Sequence, residues 1–278
     1  MRVLVTGATG QLGRDVCIRL GSEAAGIATA DLDITDRQAA FAYITESRPD
    51  AIVHCAAYTA VDKAESEPEL CHAVNVLGTR HLAEAAKGVG AKFLYVSTDY
   101  VFDGELDRPY EVDDAVNPLS VYGRTKLEGE MEVSGILEER WIVRTSWLYG
   151  LSGGNFVKTM LRVGRERGGV GVVSDQIGSP TYSADLAELI ALMIRTDKYG
   201  VYHATNEGFC SWFDFAQGIF ATADMNVETM PLASAEYPTA AVRPKDSRLS
   251  KKSLTDAGFD LLPPWQDALG RFIHQGHF

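Results

Sequence analysis

The chain has 278 residues, of which 46% are hydrophobic and 23% are charged. This length suits one large domain or two modest ones, and the composition is that of a globular protein, so fibrous, miniature and disordered classes are excluded. Acidic residues number 38 and basic residues 26, which gives a formal net charge of -12. Because such a charge repels polyanions, nucleic acid is not an expected partner.

The four cysteines, Cys17, Cys55, Cys71 and Cys210, are far apart and form no C-x-x-C pair. This spacing favours free thiols in a reducing compartment, and we therefore expect a cytoplasmic protein. The first residues lead directly into a predicted strand, which leaves no room for a signal peptide. Uninterrupted apolar runs are all too short to span a bilayer, so no membrane partner is expected.

The first half of the chain alternates short apolar runs with segments of helical length. The runs that predict strands are residues 3–6, 26–30, 51–54 and 92–97. The helical segments between them are residues 12–20, 36–47 and 70–87. The strands are rich in Val, Ile and Leu without polar alternation, as in parallel sheets covered by helices on both faces. This order predicts an α/β fold with a doubly wound parallel sheet of the Rossmann type.

The second half of the chain is less regular, beginning with the loop between Gly150 and Gly154 that follows a predicted strand at residues 141–145. Its segments predict helices and strands at residues 155–167, 170–173, 184–195, 201–205, 211–223 and 264–274. We predict a dinucleotide-binding domain made of residues 1–150 with part of residues 184–223. A smaller α/β lobe that binds substrate is then expected from residues 151–183 and 224–278.

Three glycines, Gly7, Gly10 and Gly13, follow the first strand at the start of the first helix. Glycine permits a tight turn and a close approach of the backbone to a pyrophosphate, which the helix N-terminus attracts. The spacing is G-x-x-G-x-x-G and not G-x-G-x-x-G, yet strand, loop and helix come in the required order. A P-loop is excluded because Arg14 and Asp15 follow the last glycine. The loop therefore predicts a dinucleotide site.

Two acids, Asp31 and Asp33, lie near the distance from the glycine loop at which a carboxylate holds the adenosine ribose of NAD. Either acid fits this role. The stretch between Ala24 and Asp36 contains no Arg or Lys that would bind a 2′-phosphate, so the sequence favours NADH over NADPH. A metal site at Asp31-x-Asp33 and a solvated turn are the alternative interpretations.

Tyr122 and Lys126 are four residues apart in a segment that follows Pro118 and has the features of a helix start. Residues at this spacing share a helical face, although such pairs also occur by chance on solvated faces. An ammonium group beside a phenol lowers its pKa, which makes tyrosine a proton donor and acceptor nearer neutral pH. Thr98 ends a predicted strand at the edge where open α/β sheets bind ligands. Its hydroxyl group is expected to bind a substrate oxygen or to cap a turn.

Together the glycine loop, Thr98 and the Tyr122-x-x-x-Lys126 pair resemble the extended short-chain dehydrogenase/reductase family. Longer stretches are similar to the members of this family that reduce a keto group on a dTDP-deoxysugar. These stretches are residues 55–65, 97–104, 144–150, 175–181 and 241–244. The similarity extends over nearly the whole chain.

The resemblance implies roles for individual residues. The resemblance adds further cofactor contacts to the candidates Gly7, Gly13 and Asp31. These contacts are Gly10, Gln11, Leu12, Asp33, Ile34, Ala57, Tyr58, Thr59, Tyr122 and Lys126. The residues implied to contact the substrate are Thr98, Asp99, Trp147, Asn155, Gln176 and Arg243. Those implied to be catalytic are Thr98, Tyr122 and Lys126. A core position for Trp147 and a surface ion pair for Arg243 are the alternatives.

The reaction that the resemblance implies is reduction of the C4 ketone of dTDP-4-dehydro-β-L-rhamnose to dTDP-L-rhamnose, with NADH or NADPH, in nucleotide-sugar biosynthesis for cell-surface polysaccharide. Tyr122 is expected to protonate the new alkoxide, Lys126 to hold the nicotinamide ribose and lower the pKa of Tyr122, and Thr98 to orient the carbonyl group. Some members of the family are metal-linked dimers, but Ala184 stands where an acidic ligand is expected. No metal is therefore predicted.

Two alternatives to this reductase function stay open. Other sugar-nucleotide reductases, epimerases and dehydratases of the family use the same Tyr/Lys pair, but a dehydratase carries Asp-Glu where this chain has Asp99 and Tyr100. The missing Glu removes the base that eliminates water, which favours simple ketone reduction. The other alternative is a non-catalytic regulatory subunit like the β subunit of methionine adenosyltransferase. The intact Thr98, Tyr122 and Lys126 argue against it.

Overall fold

A six-stranded parallel sheet forms the centre of the computed structural model, which describes residues 1–278. Numbered among all strands of the chain, its members are β1 (Val3–Thr6), β2 (Ala24–Ile27), β3 (Ala51–His54), β4 (Lys92–Thr98), β5 (Arg140–Thr145) and β10 (Gly200–His203). Their order across the sheet is β10-β5-β4-β3-β1-β2. The predicted α/β fold with a doubly wound parallel sheet is confirmed.

Helices cover both faces of the sheet. They are α1 (Gln11–Leu20), α2 (Arg37–Ser47), α5 (Thr79–Val89), α6 (Val121–Ile136) and α8 (Ser183–Met193), whereas the short α3 (Val61–Ala64) and α4 (Pro68–His72) pack against α6. Successive side chains of a strand point to opposite faces, so Val3 and Val5 pack with α1 and α8, whereas Leu4 packs with α2 and α5. None of the helices of the chain has the length and apolarity needed to cross a membrane.

A second core lies beyond β5. Its elements are β6 (Leu148–Tyr149), α7 (Phe156–Arg167), β7 (Gly169–Val173), β8 (Ile177–Gly178), β9 (Thr181–Tyr182), β11 (Cys210–Ser211), α9 (Trp212–Thr222), β12 (Glu228–Leu232) and α11 (Trp265–Gly276). Aromatic side chains of α9 and α11, such as Phe215 and Phe272, dominate this core. The helix α10 (Lys252–Asp256) instead contributes Leu254 to the core of the large sheet. The division into two lobes at the boundaries given above stays a prediction.

Two predicted elements differ most from the observed ones. The strand predicted at residues 26–30 ends at Ile27, because the Asp31 carboxylate accepts a hydrogen bond from the Ala28 amide at 2.8 Å and turns the chain. The single helix predicted at residues 70–87 is α4, a π-helical turn and α5 in succession. In the π-helical turn the buried Asn75 accepts a hydrogen bond from the Tyr58 amide at 2.8 Å and donates one to the Thr125 hydroxyl at 3.0 Å. This turn thus ties the loop after β3 to α6.

The order of the strands places a crevice at the carboxyl edge of the sheet. The chain leaves β1 toward β2 on one side and later returns to β3 on the other side. The loops that follow β1 and β3 therefore separate and leave a gap, where ligands bind in open α/β folds. Thr98 at the end of β4 and Thr145 at the end of β5 extend the same edge.

Candidate active site

A cavity of about 650 Å³ occupies this crevice. Most of the residues predicted to bind cofactor or substrate line it, namely Gly7, Gly10, Gln11, Leu12, Gly13, Asp33, Ile34, Ala57, Thr59, Thr98, Asp99, Tyr122, Lys126 and Trp147. The structure places five predicted residues outside its lining, namely Asp31, Tyr58, Asn155, Gln176 and Arg243. We call this space the first cavity.

The glycine loop forms the floor of the first cavity by close contact between backbone segments. A Cβ atom on Gly13 would lie 2.2 Å from the Gly7 carbonyl oxygen, and one on Gly7 would lie 2.8 Å from the Ala56 amide nitrogen. Helix α1 begins directly after this loop, and no side chain caps its first turn. Its free amide groups and positive helix end fit the diphosphate of a dinucleotide. Asn155 lies behind this loop and donates a hydrogen bond to Gln11 Oε1 at 3.0 Å.

The structure separates the two acids that the sequence left as alternatives. Asp33 borders the first cavity, and hydrogen bonds from the Thr35 hydroxyl and amide lower its pKa. Asp31 lies outside, with its carboxylate on the Ala28 amide. The residues that border the cavity where β2 ends are Ala28 and Thr29, which carry no charge. Asp33 is therefore the better placed acid for an adenosine group.

Tyr58 also differs from its predicted position. Its hydroxyl group donates to Glu67 Oε2 at 2.7 Å, and its backbone amide is bound by Asn75. The neighbouring Ala57 and Thr59 line the cavity, so Tyr58 fixes the loop whose other residues face the cavity.

Thr98 and Tyr122 meet at the carboxyl end of β4. The Thr98 hydroxyl donates to Asp99 Oδ1 at 2.9 Å and accepts from the Tyr100 amide at 3.2 Å. Ser120 caps α6 by accepting from the Gly123 amide at 3.1 Å, which places Tyr122 in the first turn. Gly123 allows close packing there, because a Cβ atom would lie 2.3 Å from the Tyr100 carbonyl oxygen. Burial raises the pKa of Tyr122, and a hydrogen bond with Thr98 opposes this shift.

Lys126 is buried one turn further along α6. Its Nζ atom donates to the Val96 carbonyl oxygen at 2.8 Å and lies 4.0 Å from the centre of the Tyr95 ring. Burial lowers the pKa of Lys126 to about 7. Burial is the largest influence on the pKa of Tyr122 in this structure, so the lowering of that pKa by Lys126 stays a prediction.

Asp99 is a buried carboxyl group on the wall of the first cavity. Burial raises its pKa to about 6. Its Oδ1 atom accepts from Thr98, whereas its buried Oδ2 atom has no hydrogen-bond partner in the protein. Buried polar atoms are rarely left without a partner, so Oδ2 is suited to a polar group of a ligand.

A pair of stacked tryptophans closes the other end of the first cavity. Trp147 lies on Trp212 with ring centroids 3.6 Å apart and an angle of 11° between the ring planes. Trp147 has a φ of 47°, a strained value for a bulky residue, which indicates a constraint by its surroundings. The sequence analysis missed Trp212. A usable signal was present, because Ser211 and Asp214 form a capping box that places the half-buried Trp212 at the first position of α9.

A second cavity of about 640 Å³ lies on the far side of Trp212, which borders both cavities. Gln176 and Arg243 line this second cavity. The Gln176 amide donates to Ser234 Oγ at 2.9 Å. Arg243 Nη2 donates to Asp62 Oδ2 at 2.8 Å, whereas its Nη1 atom is buried without a partner. The predicted substrate residues are therefore divided between two adjoining cavities.

No group of three or more His, Cys, Asp or Glu side chains is arranged to hold a metal ion. The acids nearest the position where a ligand was considered are engaged with other groups. Asp185, for example, binds Arg271 through two hydrogen bonds of 2.6 and 2.8 Å.

A dinucleotide loop, a tyrosine and lysine on one helix and a strand-end threonine around one cavity define a reductase of the extended short-chain dehydrogenase/reductase class. A family model described as the RmlD substrate binding domain matches residues 1–277. A dTDP-4-dehydrorhamnose reductase from Aggregatibacter actinomycetemcomitans is 44% identical over an alignment that covers 96% of this chain and 97% of the relative. The chain therefore belongs to the dTDP-4-dehydrorhamnose reductase family, as the sequence motifs predicted.

Solved structures agree with this assignment. A dTDP-4-dehydrorhamnose reductase from Clostridium acetobutylicum has a TM-score of 0.98 to this chain at 42% identity, with 100% of each chain covered. The enzyme from Bacillus anthracis, in complex with NADP, has a TM-score of 0.97 at 45% identity, with 99% of each chain covered.

Proposed function

We propose that this protein reduces the C4 ketone of dTDP-4-dehydro-β-L-rhamnose to dTDP-L-rhamnose with NADH or NADPH, as a step in nucleotide-sugar biosynthesis for cell-surface polysaccharide. The observation that carries the proposal is that Thr98, Tyr122 and Lys126 border the same cavity as the glycine loop. The names of the relatives support the substrate, and the NADP complex of the Bacillus anthracis enzyme supports the cofactor class.

The residues around the first cavity fit a nicotinamide dinucleotide. The loop from Gly7 to Gly13 would hold its diphosphate at the N-terminus of α1, and Asp33 and Ile34 would border its adenosine part. Ala57, Thr59 and Lys126 would line its nicotinamide half. When bound, the cofactor supplies a hydride to a carbonyl carbon.

The remaining chemistry belongs to the side chains. The raised pKa of Tyr122 keeps its phenol protonated at neutral pH, so its Oη atom can donate a proton to the carbonyl oxygen as negative charge develops there. The Thr98 hydroxyl lies beside this phenol and can orient the same oxygen when its proton turns from Asp99 Oδ1 to the substrate. The Lys126 ammonium would bind the ribose of the cofactor and contribute positive charge to the site. We assign catalytic roles to these three residues on this basis.

The substrate is expected to extend from the first cavity into the second. Asp99 and Trp147 would contact the sugar, because both line the first cavity. Arg243 lines the second cavity and lies beside Tyr100, whose ring is centred 5.5 Å from the Tyr122 ring. A diphosphate between sugar and nucleoside would therefore pass Arg243, whose Nη1 atom has no other acceptor. Gln176 is assigned to the nucleoside end, and Asn155 to support of Gln11.

Three further assignments complete the proposal. The net charge of -12 supports a small-molecule substrate and not nucleic acid as the partner. The four free cysteines support a reducing, cytoplasmic location. The separate core around α9 and α11 supports a substrate-binding lobe distinct from the dinucleotide-binding domain.

The test is oxidation of NADH and of NADPH by the purified protein with the dTDP-4-keto sugar, followed by absorbance and by identification of the product. NADH is expected to serve, because no cation lies at the end of β2. Tyr122→Phe should lower kcat by about 10²–10⁴-fold, the usual contribution of general acid catalysis, while NADH still binds. Tyr43→Phe, at a tyrosine of α2 outside both cavities, is the matched control.

Two results would contradict the proposal. Near-normal turnover by Tyr122→Phe would remove Tyr122 from its catalytic role. Failure of the unaltered protein to oxidise either cofactor, although it binds NADH, would favour a regulatory subunit. Formation of a dehydrated product is not expected, because Tyr100 stands where a dehydratase carries its Glu base.

A further inference from the structure

Lys126 is a buried cation without a carboxylate partner. Its side chain belongs to no ion pair within 4 Å, and the residue is 3% exposed. The contacts of its Nζ atom are the Val96 carbonyl oxygen at 2.8 Å and the face of the Tyr95 ring, whose centre is 4.0 Å away. A buried charge is unfavourable unless it is compensated, so these two contacts must stabilise it.

The Tyr95 ring is fixed in this position at both ends. Tyr95 belongs to β4, and its hydroxyl group donates to the Lys126 backbone carbonyl at 3.2 Å. Gly129 makes room for this hydroxyl group, because a Cβ atom on residue 129 would lie 2.3 Å from it. The ring is fully buried, and burial raises the pKa of its phenol well above the ordinary value, so it stays neutral. Tyr95 therefore acts on the ammonium group through its aromatic face.

Other titratable groups around Lys126 do not replace this contact. They are His54, Cys55, Cys71, Tyr122 and Glu130. Burial lowers the pKa of His54 to about 3 and raises that of Cys55 to about 12, so both are neutral at pH 7. Burial also raises the pKa of Cys71 and of Tyr122. The charge of Glu130 raises the pKa of Lys126, but both Glu130 oxygens are bound to Arg144, at 2.8 and 2.9 Å, and neither forms an ion pair with Lys126.

We propose that Tyr95 is a positioning residue for the reaction, whose ring face keeps the Lys126 ammonium charged and held at the cavity wall. The proposal rests on the role given to Lys126 under the proposed function. It extends the active site beneath the helix that carries Tyr122 and Lys126. Because the aromatic face favours the charged form of lysine, loss of the ring should lower the pKa of Lys126, which burial already reduces to about 7.

The test compares Tyr95→Phe, which keeps the ring, with Tyr95→Leu, which removes it. The first readout is NADH binding against pH without any sugar nucleotide, followed by cofactor fluorescence. Binding should weaken as Lys126 loses its proton, and Lys126→Met should abolish this pH dependence. The alkaline limb of the binding profile is the pH range in which NADH binding weakens. Tyr95→Leu should move this limb down by about 0.5–1.5 pH units, the range expected for a cation–π contact. Tyr95→Phe should keep the limb near its original pH. The second readout, kcat against pH with the dTDP-4-keto sugar, should show the same order.

Phe93→Leu is the matched control for damage to the core. Phe93 is buried in the same strand and the same core cluster as Tyr95 but makes no contact with Lys126. It should lower the melting temperature as Tyr95→Leu does and leave the alkaline limb in place. Identical limbs for the unaltered protein and Tyr95→Leu, or equal shifts for the Leu and Phe variants, would overturn the role of the ring. A shifted limb for NADH binding without any turnover of the dTDP-sugar would instead contradict the proposed substrate alone.

Discussion

The two cavities of the molecule are built in different ways. The first combines a backbone part, made of the glycine loop and the N-terminus of α1, with a part lined by side chains such as Tyr122 and Trp147. The second is formed by side chains of α7, β7 and the segment that leads to Arg243. Trp212 borders both and its stacking on Trp147 joins them. The part of the first cavity at the glycine loop is thus a property of the fold, whereas the second cavity is a property of particular side chains.

This difference separates two functions that one reaction must combine. A backbone-built site suits the diphosphate of a dinucleotide, which requires amide groups and a helix end but few particular side chains. A side-chain-built site suits discrimination between sugar nucleotides, because polar groups such as Gln176 and Arg243 can be exchanged without change of the fold. Substitutions in the two regions should therefore affect different ligands.

The largest effect on ligand binding is expected from Gly13→Ala. Its new Cβ atom would lie 2.2 Å from the Gly7 carbonyl oxygen, so the loop or the helix must shift by the order of 1 Å. Such a displacement should break charge-assisted hydrogen bonds to the diphosphate, each worth about 1.5–3 kcal/mol, so NADH binding should weaken by about 100-fold or more, measured by fluorescence titration. Gly135→Ala is the control, because a Cβ atom there meets nothing within 4 Å. Equal NADH affinity for both variants would show that the diphosphate does not lie on this loop.

The first region was predictable from the sequence because backbone geometry leaves a local pattern. Strands β1 and β3 begin and end where the apolar runs do, and Gly7, Gly10 and Gly13 stand between strand and helix as a diphosphate loop requires. The end of β2 was misplaced because the Asp31 carboxylate competes for the Ala28 amide. The π-helical turn was missed because Asn75, which bonds to distant Tyr58 and Thr125, carries no periodic signal.

The second region was not predictable in the same way. Arg243 and Gln176 were indicated only by resemblance, and their common cavity depends on contacts such as Arg243 to Asp62, which are 181 residues apart in the chain. The surroundings of the Lys126 ammonium group were likewise not predictable from the sequence. Spacing placed it on the face of α6 that carries Tyr122, but the contacts that decide its charge come from Val96 and Tyr95 of β4.

A smaller and more selective effect is expected from Arg243→Ala. Loss of a hydrogen bond to a charged group costs about 1.5–3 kcal/mol, so KM for the dTDP-sugar should rise by about 10–100-fold while KM for NADH stays nearly constant. Arg248→Ala is the control, because its guanidinium group is similarly exposed, 22% against 25%, and is paired with Asp246 outside both cavities. Equal weakening of both ligands by Arg243→Ala would indicate damage to the fold, and no change in either would leave Arg243 as a surface ion pair.

The smallest effect is expected in stability, from Asp99→Asn at the junction of the two regions. Burial raises the pKa of Asp99 from 3.8 to about 6, so between these values the folded state holds a proton that the unfolded state has lost. The contribution of Asp99 to the free energy of unfolding therefore falls as the pH rises from about 4 to about 6, and it stays lower at pH 7. Asp99→Asn keeps the oxygen that accepts from Thr98 but removes the charge. It should raise the free energy of unfolding at pH 7 by about 1–2 kcal/mol. One pKa unit corresponds to about 1.4 kcal/mol, and the amide recovers only part of the free energy that the buried charge costs. Thermal unfolding of both proteins should show the higher stability of Asp99→Asn at pH 7 and the loss of this difference near pH 4. A separate assay should show reduced turnover if Asp99 contacts the sugar. An advantage that is independent of pH would mean that packing, and not the buried charge, sets the stability of this site.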